Sequence, residues 1–76
     1  MRFPAMKAKD LKAVLRRQPL GYRVVRQTGS HCRMESDHHP PLTFAFHDAD
    51  TVPPGLVRKI LTKDVGLSEG EALDLL

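Results

Sequence analysis

The sequence predicts an α+β fold, in which three antiparallel strands carry helices on one face only. Three observations lead there. Leu11, Val14 and Leu15 recur at helical spacing among lysines and arginines. From Tyr22 to His47 the chain is rich in β-branched and alternating residues, broken by Gly29-Ser30 and by Asp37–Pro41. Val57, Ile60, Leu61 and Val65 then restore the helical stripe. With 76 residues there is room for one domain. A core of that size leaves only about 3–5 kcal/mol of net stability.

Residues 1–5 lack the hydrophobic run of a signal peptide and read as a short N-terminal extension, with residues 6–76 as the domain. The first helix spans Ala8 to Gln18 and is stopped by Pro19 and Gly21. Strands follow over Tyr22–Thr28, His31–Ser36 and Leu42–His47. Pro54 stands where a first helical turn tolerates it, and Gly66 ends the second helix. Ser68 with Glu71 three residues later forms a capping box for a last helical turn. The order is α-β-β-β-α plus that turn.

Alternation assigns the faces. Cys32 and Met34 point to the covered side, and His31, Arg33 and Glu35 to the open one. Leu42, Phe44 and Phe46 are covered; Thr43, Ala45 and His47 are open. Adjacent Val24 and Val25 give each face one residue, so the first strand stays unassigned. If Ser36 opposes Leu42, paired positions sum to about 78 and His31 faces His47 across the ladder. A one-residue slip destroys that pairing.

The net charge of +3 conceals a polarised chain. Residues 1–33 hold nine basic residues against Asp10, whereas residues 34–76 hold three against eight acids. A basic half of this kind suits a phosphate backbone, although a solvated helix face is the commoner meaning of such runs. One cysteine, Cys32, makes no internal disulfide and points to a reducing, cytoplasmic setting. No apolar run approaches the ~18 residues of a membrane span.

His31, directly after the Gly29-Ser30 turn, is the first candidate for chemistry. An imidazole with an ordinary pKa near ~6.5 both takes and gives protons at cellular pH. Cleaving RNA without a metal needs a base for the 2′-hydroxyl, cations for the phosphorane and an acid for the leaving oxygen. His31 suits base or acid, and Arg26 and Arg33 suit the charge. Lys12, Arg16 and Arg23 are placed to guide the backbone. Gly29 and Ser30 belong to the same contact set and fix the aim of the histidine. His47 is an auxiliary candidate, as the acid or as a neighbour that disfavours protonation of His31. On composition alone a surface histidine in a hairpin is the simpler reading.

A metal site drawn from His31, Cys32, His38, His39 and His47 matches no standard zinc spacing. Cys32 faces the core, away from His31, so a Cys–His nucleophile cannot assemble and Cys32 reads as a small core hydrophobe. Ser30 has no acid to complete a triad and is a turn residue. Tyr22 reads as a packing residue rather than a base-stacking platform.

Several segments resemble the HicA family of type II toxin–antitoxin systems. They are Met6-Lys7-Ala8-Lys9-Asp10-Leu11, Gly21-Tyr22 and Val25-Arg26-Gln27-Thr28-Gly29-Ser30-His31, then Pro54 to Leu61 and Val65-Gly66-Leu67-Ser68. The resemblance covers nearly the whole chain from Met6 onward. It implies a double-stranded-RNA-binding-like fold and an mRNA endoribonuclease that needs no metal or other cofactor. It also implies that His31 occupies the family's catalytic position. Such toxins arrest translation and growth, and a HicB-type antitoxin restrains them by covering the histidine. A non-catalytic RNA-binding module of the same fold is the rival expectation.

Overall fold

The computed structural model describes residues 3–76, so Met1 and Arg2 of the predicted extension lie outside the described residues. In chain order the elements are β1 (Met6–Lys7), α1 (Ala8–Arg16), β2 (Arg23–Thr28), β3 (His31–Glu35), β4 (Leu42–Ala45), β5 (Thr51–Val52), α2 (Pro54–Lys59), a π-helical turn (Ile60–Asp64) and α3 (Glu69–Asp74). The three-stranded antiparallel sheet runs β2-β3-β4, and β1 pairs with β5 in a separate two-stranded ladder. The fold is α+β, as predicted, and fits a double-stranded-RNA-binding-like arrangement.

Helix α1 buries Ala8, Leu11, Val14 and Leu15 on one stripe. It ends at Arg16, two residues short of the predicted boundary. A residue preceding proline is biased away from helical geometry, so Gln18 before Pro19 cannot extend the helix. The Arg17 N–H makes the last bond, to Ala13 O at 3.1 Å. Gly21 then turns the chain at a φ of 63°. The β1–β5 ladder, which pairs Met6 with Val52 and Lys7 with Thr51, is absent from the sequence reading. Two-residue strands are too short to show alternation. They exist because backbone groups meet in space.

Helix α2 starts with Pro53 as N-cap and Pro54 in the first turn. It passes into the π-helical turn, where the Val65 N–H reaches Ile60 O at 3.0 Å. Gly66, at φ 94°, reverses the chain, and the Leu67 N–H closes on Leu61 O at 3.1 Å. The Ser68–Glu71 capping box is complete at the start of α3.

The sheet confirms the face assignment. Cys32, Met34, Leu42 and Phe44 are buried, whereas His31, Thr43 and Ala45 are exposed. Those four join Ala8, Leu11, Leu15, Val57, Leu61 and Ala72 in one core, so the helices cover one side of the sheet. Phe3, from the N-terminal extension, is 5% exposed in the same core. The segment before β1 is therefore anchored by a buried aromatic.

Register is where expectation and structure part. β3 and β4 pair Met34 with Leu42, Cys32 with Phe44 and His31 with Ala45, a two-residue shift from the predicted alignment. Side-chain parity survives a shift of two, so every face assignment holds. The specific partner does not: His31 faces Ala45, not His47. Strand β4 ends at Ala45, and the His47 N–H instead bonds Asp50 Oδ2 at 3.0 Å. The loop from Ser36 to Pro41 is wider than the tight alignment required.

Strand β2 resolves the Val24–Val25 ambiguity with an irregularity. Val24 pairs with Met34 and Arg26 with Arg33, leaving Val25 without a partner between them. This extra residue is a β-bulge. It brings Arg23, opposite Glu35, and Arg26, opposite Arg33, to the same side of the sheet.

Candidate active site

The open face of the sheet gathers side chains from all three strands. Thr28 pairs with His31 across the turn, Arg26 with Arg33, and Arg33 with Thr43. Directly opposed residues share a face. Together Arg26, Thr28, His31, Arg33 and Thr43 line an open cleft of ≈ 390 Å³. Arg33 Nη1 donates to Thr43 Oγ1 at 3.5 Å, which draws the guanidinium along the sheet.

The turn that aims His31 has two residues between the paired Thr28 and His31. Gly29 has a φ of 59°, and Ser30 stays on the ordinary side of the map. Positive φ at the first central position only is the pattern of a type II′ hairpin turn, whose twist suits the flanking strands. His31 is therefore held at the first position of a paired strand. His31 lines the cleft, and among the described residues no side chain is hydrogen-bonded to its imidazole.

The cleft is cationic. Ion pairs among the described residues are Lys12–Asp48, Arg23–Asp37, Arg58–Glu69 and Lys59–Asp64, and none engages Arg26 or Arg33. Two guanidiniums and an imidazole thus face a depression that holds no carboxylate. Guanidinium groups of this kind suit a phosphate, and an imidazole beside them is a group able to transfer a proton.

The other predicted contact residues divide. Gly29 and Ser30 form the turn at the rim of this cleft. Arg23 shares its face but lies at the far end, tied to Asp37 at 3.1 Å. Lys12 and Arg16 project from α1 into a different depression, with Lys9 and Asp48. His47 does not line the cleft. Sequence reasoning did not single out Thr28 and Thr43. The signal available was parity together with correct register, since both lie beside His31 or Arg33 on the open face.

Cys32 is 1% exposed beneath the sheet, so it cannot meet His31. Tyr22 is 2% exposed, and its hydroxyl donates to Pro40 O at 2.7 Å. It packs the core, as expected of it, and burial raises its pKa, helped by the charge of Asp64. No group of three or more His, Cys, Asp or Glu side chains stands in metal-binding proximity among the described residues. No helix there is long and apolar enough to cross a membrane.

No curated protein and no solved structure matches the chain. A family model does, the one described as HicA toxin of bacterial toxin-antitoxin, over residues 8–67. That span begins at α1 and runs through the entire His31 face and the π-helical turn to Leu67. The chain therefore belongs to the HicA family, the toxin component of a bacterial toxin–antitoxin system.

Proposed function

We propose that this toxin is a metal-independent endoribonuclease that cleaves mRNA, with His31 as its proton-transfer residue. The observation that carries this reading is the convergence of His31, Arg26 and Arg33 on one carboxylate-free cleft. RNA contains its own nucleophile, so the protein need only move protons and stabilise charge. The 2′-oxygen attacks the adjacent phosphorus as its proton leaves. The bond from phosphorus to the 5′-oxygen breaks, and that oxygen takes up a proton. The products are a 2′,3′-cyclic phosphate and a free 5′-hydroxyl. His31 takes the first proton as base or supplies the second as acid, and solvent performs the other transfer. Arg26 and Arg33 stabilise the charge on the pentacoordinate phosphorus.

The outcome in the cell is arrest of translation, and a HicB-type antitoxin restrains it by covering the His31 face. The unpaired Cys32 suits a cytoplasmic location. Two experiments test the reading. Purified protein is incubated with RNA in EDTA, and cleavage is expected to persist. His31→Ala is expected to lower the cleavage rate by roughly 10²–10⁴-fold, the usual contribution of general acid–base catalysis. Equal growth arrest by wild type and His31→Ala, induced without antitoxin, would remove His31 from the mechanism. Salt-dependent RNA binding without cleavage would favour the non-catalytic module.

A further inference from the structure

A second cleft with basic lining lies on α1. Lys9, Lys12, Ala13, Arg16 and Asp48 line a depression of ≈ 220 Å³. Positions 9, 12, 13 and 16 fall on one helix face, so three cations surround the small, exposed Ala13. Asp48 enters from the loop after β4. Its Oδ1 is 3.1 Å from Lys12 Nζ, and its side chain is 67% exposed. The loop backbone is fixed to the helix start: the Lys9 N–H donates to Asp48 O at 3.2 Å and the Ala8 N–H to Asp50 O at 2.8 Å. Asp48 is thus held at the mouth of a cleft whose three cations it cannot neutralise. Lys9 and Arg16 have no ion-pair partner among the described residues.

We propose that Lys9, Lys12 and Arg16 form a second phosphate subsite for RNA, and that Asp48 is the counter-ion a backbone phosphate displaces. The identity of the polyanion rests on the nuclease reading above. Lys12 is largely covered, with its side chain 17% exposed, whereas the Asp48 carboxylate is open to solvent, so a phosphate can take its place on the ammonium without leaving Lys12 unpaired. The incoming phosphate also reaches Lys9 and Arg16, which Asp48 leaves unpaired. The two clefts are linked through β4, an edge strand of the sheet. Thr43 lines the cleft of His31 and Asp48 lines this one, five residues along the chain. That separation is at most about 18 Å between Cα atoms. One extended RNA strand a few nucleotides long spans it by passing around the β4 edge. The lining is charged, with Ala13 as its one apolar side chain, which suits a phosphate better than the apolar anchors of a protein segment.

The test uses single-stranded 2′-O-methyl oligonucleotides, which cannot be cleaved, so binding is read apart from catalysis. Fluorescence anisotropy is measured across a salt series with an octamer and with a dinucleotide. Lys9→Gln/Arg16→Gln is expected to weaken octamer binding by about fivefold to tenfold and to flatten the salt slope by about 0.7 for the phosphate lost. Asp48→Asn is expected to tighten octamer binding by roughly threefold or more, because the competing charge is gone. The dinucleotide, too short to reach both clefts, is expected to bind all three proteins alike. Lys63→Gln, an exposed charge loss elsewhere, controls for bulk electrostatics. Unchanged octamer affinity in both variants, or an equal loss in Lys63→Gln, overturns the subsite and leaves the cleft to an acidic protein segment. Cleavage of ordinary RNA in EDTA reports on the nuclease reading independently. A protein that does not cleave but shows the expected oligonucleotide pattern retains the subsite.

Discussion

Arg26 stands directly opposite Arg33 across the β2–β3 ladder, two rungs from the pairing of Thr28 with His31 and next to it on the same face. Like charges in directly opposed positions destabilise a sheet. Among the described residues neither arginine has an ion-pair partner, so the pair is a stability cost located in the candidate active site. Arg26→Gln is expected to raise stability by about 0.5 kcal/mol, a few degrees in Tm for a domain of this size. The same change is expected to slow RNA cleavage roughly tenfold or more, because a cation is lost from the phosphorane. Thermal denaturation and single-turnover cleavage check the two halves separately. A variant that loses both stability and activity would contradict the trade-off.

Gly29 holds a φ of 59°, and a Cβ built there meets nothing within 4 Å. The penalty for a side chain is therefore conformational, not steric. Gly29→Ala is expected to cost about 1–2 kcal/mol. Gly29→Asn is expected to cost less, since asparagine tolerates the left-handed region. Urea denaturation ranks the variants. Cleavage is expected to fall with turn distortion, since the turn sets the aim of His31.

Two groups link stability to pH. Tyr22 has a raised pKa, chiefly from burial, so it stabilises the fold while its phenol is neutral. That contribution is complete below the unfolded value near ~10 and is lost as pH rises through the folded value. Tyr22→Phe also removes the bond to Pro40, at about 0.5–1.5 kcal/mol near neutral pH, and is expected to flatten the alkaline limb. Glu71 has a lowered pKa, first through its hydrogen bond to the Ser68 backbone and then through the Ser68 side chain. Its contribution is present above the ordinary carboxylate range and is lost as pH falls through the folded value. Ser68→Ala is expected to cost about 1 kcal/mol at neutral pH and to reduce the acid-limb slope. Thermal denaturation over about pH 3 to 11 reads both limbs.

His47 lies beyond the end of β4, and Ala45 occupies the position opposite His31. His47→Ala is therefore expected to leave the pH midpoint of cleavage in place. A displaced midpoint would mean that the His47 loop moves to meet His31 when RNA binds.

Much of the fold was legible because alternation and helical spacing are local properties of the chain. Cys32 and Met34 against His31 and Arg33 needed only strand parity, and parity is insensitive to a two-residue shift. The Ser68–Glu71 box and the start at Pro54 likewise depend on neighbours three or four residues apart. The partner of His31 was not legible, because it depends on how wide a loop the Ser36–Pro41 segment makes. The bulge at Val25 was hidden for a similar reason: two adjacent valines fit either a regular or an irregular strand until β3 is laid beside them.

By itself, the sequence determined the α+β class, the covered and open faces, and the placing of His31 after a glycine turn on the open face. Each follows from short-range periodicity and turn chemistry. Only the tertiary structure decided which charges share a cleft. It brought Arg26 opposite Arg33 through the bulge, set Thr28 and Thr43 around His31, and sent Lys12 and Arg16 to a separate depression capped by Asp48. Those are contacts between distant residues, set by register and by packing of α1 against the loop after β4, and no local pattern encodes them.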